Sequence, residues 1–151
     1  MRFYQKSDNI AKLRVLLETL DVKDATNKQV DDMFATIRKI CSDGYWDWSM
    51  KDKYKYLSPT LKAQLGYADD EISNIDGALK EIMMDDDIPM LLKKLEEHFS
   101  SKGEVPFKAV VRYKHKDGHI VKILCRGQVV EWGENGEPLR MVGSHVNVTD
   151  I

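Results

Sequence analysis

Three consecutive stretches decide the fold: FKAVVRY at residues 107–113, the KDG of 116–118, and IVKILCRGQVV at residues 120–130. The first and third alternate apolar with polar side chains and are rich in β-branched residues, as strands are. Asp117-Gly118 between them is a hairpin turn. Asn135-Gly136 is a second turn signal, and Leu139 to Val148 forms a further strand. The C-terminal third is therefore predicted to be a three-stranded antiparallel meander.

Upstream, a long helix is predicted from about Asp86 to Ser100, with Ile88, Leu91, Leu92, Leu95 and Phe99 at helical spacing and Gly103 at its end. Asp69-Asp70-Glu71 and Asp76-Gly77 are predicted to open two short helical pieces. Ser58-Pro59 opens another, with Ser as cap and Pro at the first helical position, carrying Leu61 and Leu65. Tyr45-Trp46-Asp47-Trp48 and Tyr54 to Leu57 are short strands around a polar turn. The expected fold is thus α+β: a five-stranded antiparallel sheet with helices between strands two and three.

The sequence changes character near Gly44, which divides it into a helical extension, 1–43, and a domain, 44–151. The extension holds two helical stripes, one of Ile10, Leu13, Leu17 and Leu20, the other of Val30, Phe34, Ile37 and Cys41 with Met33 and Ile40 beside it. They either pack on their own domain or meet a second copy of the chain. We expect the second arrangement, a homodimer through residues before Gly44.

Composition excludes several classes. At 151 residues with 42% hydrophobic and 32% charged content, one globular domain is expected rather than disorder. The charges are interspersed and sum to −2, with no basic stripe for nucleic acid. No apolar run spans a membrane or follows Met1 as a signal peptide does. Cys41 and Cys125 are too far apart in sequence for a CxxC site. A cytoplasmic protein is expected. GxSxG, P-loop, GxGxxG and HExxH spacings are all absent, so no enzyme is predicted.

The order strand, strand, short helices, long helix, three strands resembles the PAS fold, and particular residues agree. Trp46-Asp47-Trp48, Leu57-Ser58-Pro59 and Leu65-Gly66-Tyr67 are similar to the subgroup whose first strand carries a WDW-like signature. Asp85-Asp86-Asp87 resembles the acidic start of its long helix. Arg112, Lys116-Asp117-Gly118 and Arg126-Gly127 match its hairpin, and Gly143 and Asn147-Val148-Thr149 its exit. Two positions depart from it. Asn147 stands for the usual Asp, keeping a hydrogen-bond acceptor but no charge, and Val110, two residues before Arg112, for a common Glu, which removes a charge pair that often holds the sheet surface.

The resemblance implies a sensory or docking module with an apolar pocket between sheet and helices. Its effector, a kinase, cyclase or regulator, lies outside this chain, which is either a module of a larger protein or a stand-alone regulator. It argues against a covalent flavin of the LOV type, because no Cys lies between Gly66 and Asp87. It also argues against haem, because Leu91-Leu92-Lys93 occupies the place of the axial His and His98 falls near the helix end, where a solvated cation is usual. Loosely held flavin stays open, and the cofactor is unknown.

By the family's hairpin register, Val111, Tyr113, Ile123, Cys125, Met141, Gly143 and His145 face the pocket, closed by Leu57, Leu61, Leu65, Met83 and Leu92; a slip of one residue would turn every strand residue outward. His145 and Tyr113 are its polar groups. His145 is either a ligand-orienting group or a hydrogen-bonded sheet histidine, and Cys125 a small buried hydrophobe or a redox group. Asp85-Asp86-Asp87 is expected to serve the helix dipole rather than a metal, and His115 and His119 to project into water. Two readings follow: a ligand-sensing module, or a docking and dimerisation module whose core is filled by its own side chains.

Overall fold

The computed structural model describes residues 27–40 and 42–150, and the chain divides between Ser42 and Asp43 into two units. In the first unit, α1 (Asn27–Ile40) forms over the second predicted stripe. It carries an exposed Lys28–Asp32 pair one turn apart and leaves Ile37 and Ile40 exposed. The predicted helix of Ile10, Leu13, Leu17 and Leu20 lies outside the described residues, as does Cys41.

The second unit is one antiparallel sheet: β1 (Gly44–Ser49), β2 (Tyr54–Leu57), β3 (Phe107–Lys114), β4 (Ile120–Trp132) and β5 (Pro138–Asn147), in spatial order β2-β1-β5-β4-β3. Between β2 and β3 run α2 (Pro59–Gln64), 3-10 turns at Asp69–Glu71 and Asp85–Asp87, and α3 (Ile88–Ser100). The five-stranded antiparallel α+β fold is that expected from the sequence. Burial alternates strictly along β3, where Phe107, Ala109, Val111 and Tyr113 are buried. They pair in register with β4, which buries Val121, Ile123 and Cys125 on the same face.

Ser58 sets the start of α2: its Oγ accepts from the Leu61 and Tyr45 amides at 3.2 and 3.0 Å, tying the helix to β1. The stretch from Asp76 is not the short helix expected. Gly77 has φ +84, and the backbone makes successive three-residue turns whose remaining bonds go to the sheet. At one end Asp76 donates to Lys53 O and Lys55 to Asn74 O. At the other, Met84 donates to Arg112 O and Lys114 to Ile82 O. Residues 74–84 thus bridge from the β2 edge to the β3 edge, covering unpaired backbone on both.

α3 begins at Ile88 rather than Asp86, after the 3-10 turn. Asp87 does not act through the helix dipole alone. Its carboxylate takes the Arg112 guanidinium in a fork at 2.8 and 3.0 Å and the Arg112 amide at 2.8 Å, fastening the helix start to β3. Arg112, two residues after the Val110 that stands for a common Glu, thus has its carboxylate partner in Asp87. At the other helix end, His98 is buried, contrary to the solvated cation expected. Its Nε2 accepts the Val129 amide at 3.1 Å and its Nδ1 lies 2.7 Å from Val105 O, so Nδ1 carries the proton. The β3–β4 pairing ends at Phe107–Gly127, which leaves the Val129 amide beyond it for His98 to take up.

Trp46 is seated by two glycines. Gly127 and Gly143 are directly paired across β4 and β5, and a Cβ on either would stand 2.6 or 2.2 Å from the indole. Replacement of Gly143 by Ala is expected to cost about 1–3 kcal/mol in urea unfolding, because the new methyl also meets the Arg126 carbonyl at 2.1 Å. A cost below about 0.5 kcal/mol would contradict the seat.

Candidate functional site

Between the sheet, the 74–84 bridge and α3 lies a cavity of about 190 Å³. The sheet contributes Trp46, Trp48, Lys55, Leu57, Phe107, Tyr113, Cys125 and His145. The bridge roofs it with Ile75 to Lys80 and Met83, and α3 adds Leu91, Leu92 and Leu95. Asp76, Lys80 and Leu92 are exposed and stand at its mouth.

Of the residues expected at the pocket, Leu57, Met83, Leu92, Tyr113, Cys125 and His145 line this cavity. Leu61, Leu65, Val111, Ile123 and Met141 do not; they are wholly buried among other side chains and fill the core beside it. Leu61 packs under Gly44, whose missing Cβ leaves it room. Gly143 is not in the wall either, since the Trp46 ring covers it.

Besides the apolar Leu79, Leu91, Leu95 and Phe107, the groups the sequence reading left out of the pocket are Trp46, Trp48 and Lys55. Trp46 pairs with Leu57 across β1 and β2, and Trp48 with Lys55, so these four share one face. That register was the available signal, because a Lys two residues before an inward Leu in a strand must itself face inward.

The polar groups of the cavity are short of partners. Trp46 Nε1, Trp48 Nε1 and His145 Nδ1 are buried without a hydrogen bond. The Lys55 ammonium lies 4.9 and 5.2 Å from the ring centres of Trp46 and Trp48 and reaches no carboxylate among the described residues. Loss of surrounding water pushes its pKa down. The other buried Lys, Arg and Asp side chains among the described residues are paired: Lys62 with Asp69 at 2.9 Å, and Arg140 with Asp47 in a buried fork.

Burial also governs the remaining groups. The Cys125 thiol is pushed up to about 11 by desolvation, against which Lys55 and the Trp46 N–H favour the thiolate. Tyr113 is pushed well above its ordinary range. At the β3–β4 turn, the His115 and His119 rings stack at 4.3 Å and both reach the Asp117 carboxylate. His115 is partly buried rather than solvated, its ring lying against Gly66. The ligand atoms of His115, Asp117 and His119 lie within 4.8 Å of one another, a proximity their spacing did not suggest. This group is separate from the cavity.

The family model described as the PAS fold matches residues 54–145, and the chain belongs to that family. A sensory box histidine kinase/response regulator from Burkholderia thailandensis E264 is 33% identical over 78% of this chain and 85% of that one, with a TM-score of 0.65. The N-terminal domain of a diguanylate cyclase with PAS/PAC sensor from Marinobacter aquaeolei is 21% identical, covering 71% of this chain and 95% of its own, at a TM-score of 0.59. The LOV domain of a blue-light activated histidine kinase from Erythrobacter litoralis EL346 shares the fold at 11% identity, 71% and 96% coverage, and a TM-score of 0.54. No curated protein matches the sequence. The fold is that of sensor domains in signalling proteins, and no helix among the described residues is long and apolar enough to cross a membrane.

Burial holds the His145 imidazole down to about 3, so it stays neutral in the folded chain. The unfolded chain protonates it near pH ~6.5. Its contribution to stability is therefore complete above that pH and is lost progressively as pH falls towards about 3. Urea unfolding at pH ~7.5 and ~4.5 is expected to show a smaller drop for His145→Gln than for the native chain. Equal drops would contradict a neutral, buried His145.

Proposed function

We propose that this chain is a sensory input module that binds a small molecule in the cavity under the 74–84 bridge. The observation that carries the reading is the set of unpartnered polar groups at Trp46, Trp48, Lys55 and His145, which a self-filled core would have paired or excluded. The cavity of about 190 Å³ suits a ligand near the size of a substituted benzene. That is below the usual range of about 300–1,000 Å³ for drug-sized molecules, and a flavin nucleotide does not suit it. Cys125 supports no flavin adduct, since it stands on β4 with its thiol protonated. In this reading the chain works in the cytoplasm, performs no chemistry itself and passes the ligand state to an effector. A histidine kinase is the class suggested by the Burkholderia relative. The output passes through a homodimer built on the N-terminal helices, for which the exposure of Ile37 and Ile40 on α1 speaks.

Native mass spectrometry of the purified protein, with an absorption spectrum of the same sample, tests the first part. Extra mass on the folded chain, without visible colour, is expected. Bare mass from every preparation would overturn ligand sensing in favour of a docking module. Light scattering tests the second: the Ile37→Lys, Ile40→Lys double variant is expected to halve the mass, and an unchanged mass would remove these residues from the interface.

A further inference from the structure

We infer that the ligand is a small organic anion, a carboxylate on an apolar body, whose acid group is held by Lys55 with the indole N–H groups of Trp46 and Trp48. The inference rests on the cavity being a ligand site, as proposed above. An indole N–H is a donor only, and an ammonium has three donors and no acceptor. Both indole donors are buried with no oxygen or nitrogen acceptor, Trp46 having only the weakly accepting Cys125 sulfur beside it, and Lys55 has its ammonium over both rings. What the cavity lacks at this corner is acceptors and negative charge. A carboxylate brings about four lone-pair sites and one charge, enough for all three donors. An alcohol leaves the ammonium without a counter-charge, and an amine adds a second cation beside it. The rest of the wall, Leu57, Leu79, Met83, Leu91, Leu95 and Phe107, takes an apolar body.

Other duties for Lys55 fit less well. An inward cation on an edge strand discourages pairing with another chain. The β2 edge, however, is already occupied by the bridge at Tyr54–Ile75. Contact with the two rings contributes about 0.5–2 kcal/mol and accounts for the position of the ammonium, but it satisfies neither indole N–H. Asp76 and Lys80 at the mouth are of opposite sign and exposed, so they leave the charge of the interior to Lys55.

The test uses the full chain labelled with 15N at tryptophan, titrated with phenylacetate, 2-phenylethanol and 2-phenylethylamine, which differ mainly in the polar end. The chain has three indole N–H signals, and Trp132, outside the cavity lining, is the internal control. Phenylacetate is expected to move the Trp46 and Trp48 signals to low field and to bind about ten- to hundredfold more tightly than the alcohol. Lys55→Met should abolish that preference, while Lys55→Arg should keep it. Equal affinity of acid and alcohol would overturn the anion assignment and leave the cavity as a ligand site. A preference that survives in Lys55→Met would overturn it as well. No shift at Trp46 or Trp48 with any of the three up to about 10 mM would overturn both the anion and the cavity as its site.

Discussion

The close approach of Trp46 to Gly127 and Gly143 is the constraint on which the rest of the domain turns. A large flat ring on the inner face of a sheet needs a floor, and a pair of directly opposed glycines provides one where any side chain would collide. With the indole laid flat, the ring reaches across β5 to β4 and roofs the glycine pair. Its N–H is left without a backbone carbonyl to meet. The same placement gives Lys55, from β2, an aromatic face to rest on. A buried donor and a nearby cation therefore arise from one packing solution rather than from two separate accidents.

Around this seat the fold spends its polar contacts on keeping a space open. The 74–84 bridge satisfies its backbone at both sheet edges, so it can pass over the sheet without forming a helix of its own. Asp87 fixes the start of α3 through Arg112, and His98 fixes its end through Val129 and Val105. A helix pinned at both ends cannot settle deeper into the sheet to close the gap. The well-paired charges, Asp47 with Arg140 and Lys62 with Asp69, lie away from the cavity lining. Asp47, Arg140, Lys62, Asp87 and His98 are thus matched where they hold structure, whereas Trp48 Nε1 and His145 Nδ1 at the cavity are not.

Much of the fold was legible because alternation and turn chemistry are local. FKAVVRY, Asp117-Gly118 and Asn135-Gly136 each state their conformation without help, while the phase that sets Cys125 beside His145 came from the family's hairpin register. The departures share a physical cause. The 74–84 segment is organised by bonds to distant strands, Asp87 and Arg112 are separated by 25 residues, and His98 and Val129 by 31. No periodicity reports such contacts. The candidate site was legible where it follows strand phase, at Tyr113, Cys125 and His145, and illegible at Trp46, Trp48 and Lys55. Those three depend on the β1–β2 register and on the glycine floor, which only the assembled sheet discloses.

The most direct measurement is a crystal structure of the full chain purified from cells without unfolding. Trp46 should lie flat on Gly127 and Gly143 over an enclosed space, with density for a small molecule whose acidic group stands about 2.7–3.2 Å from Lys55 Nζ. A cavity closed by Trp48 or Met83, with Trp46 lifted from the glycines and its N–H bonded to the protein, would contradict both the floor and the site built on it.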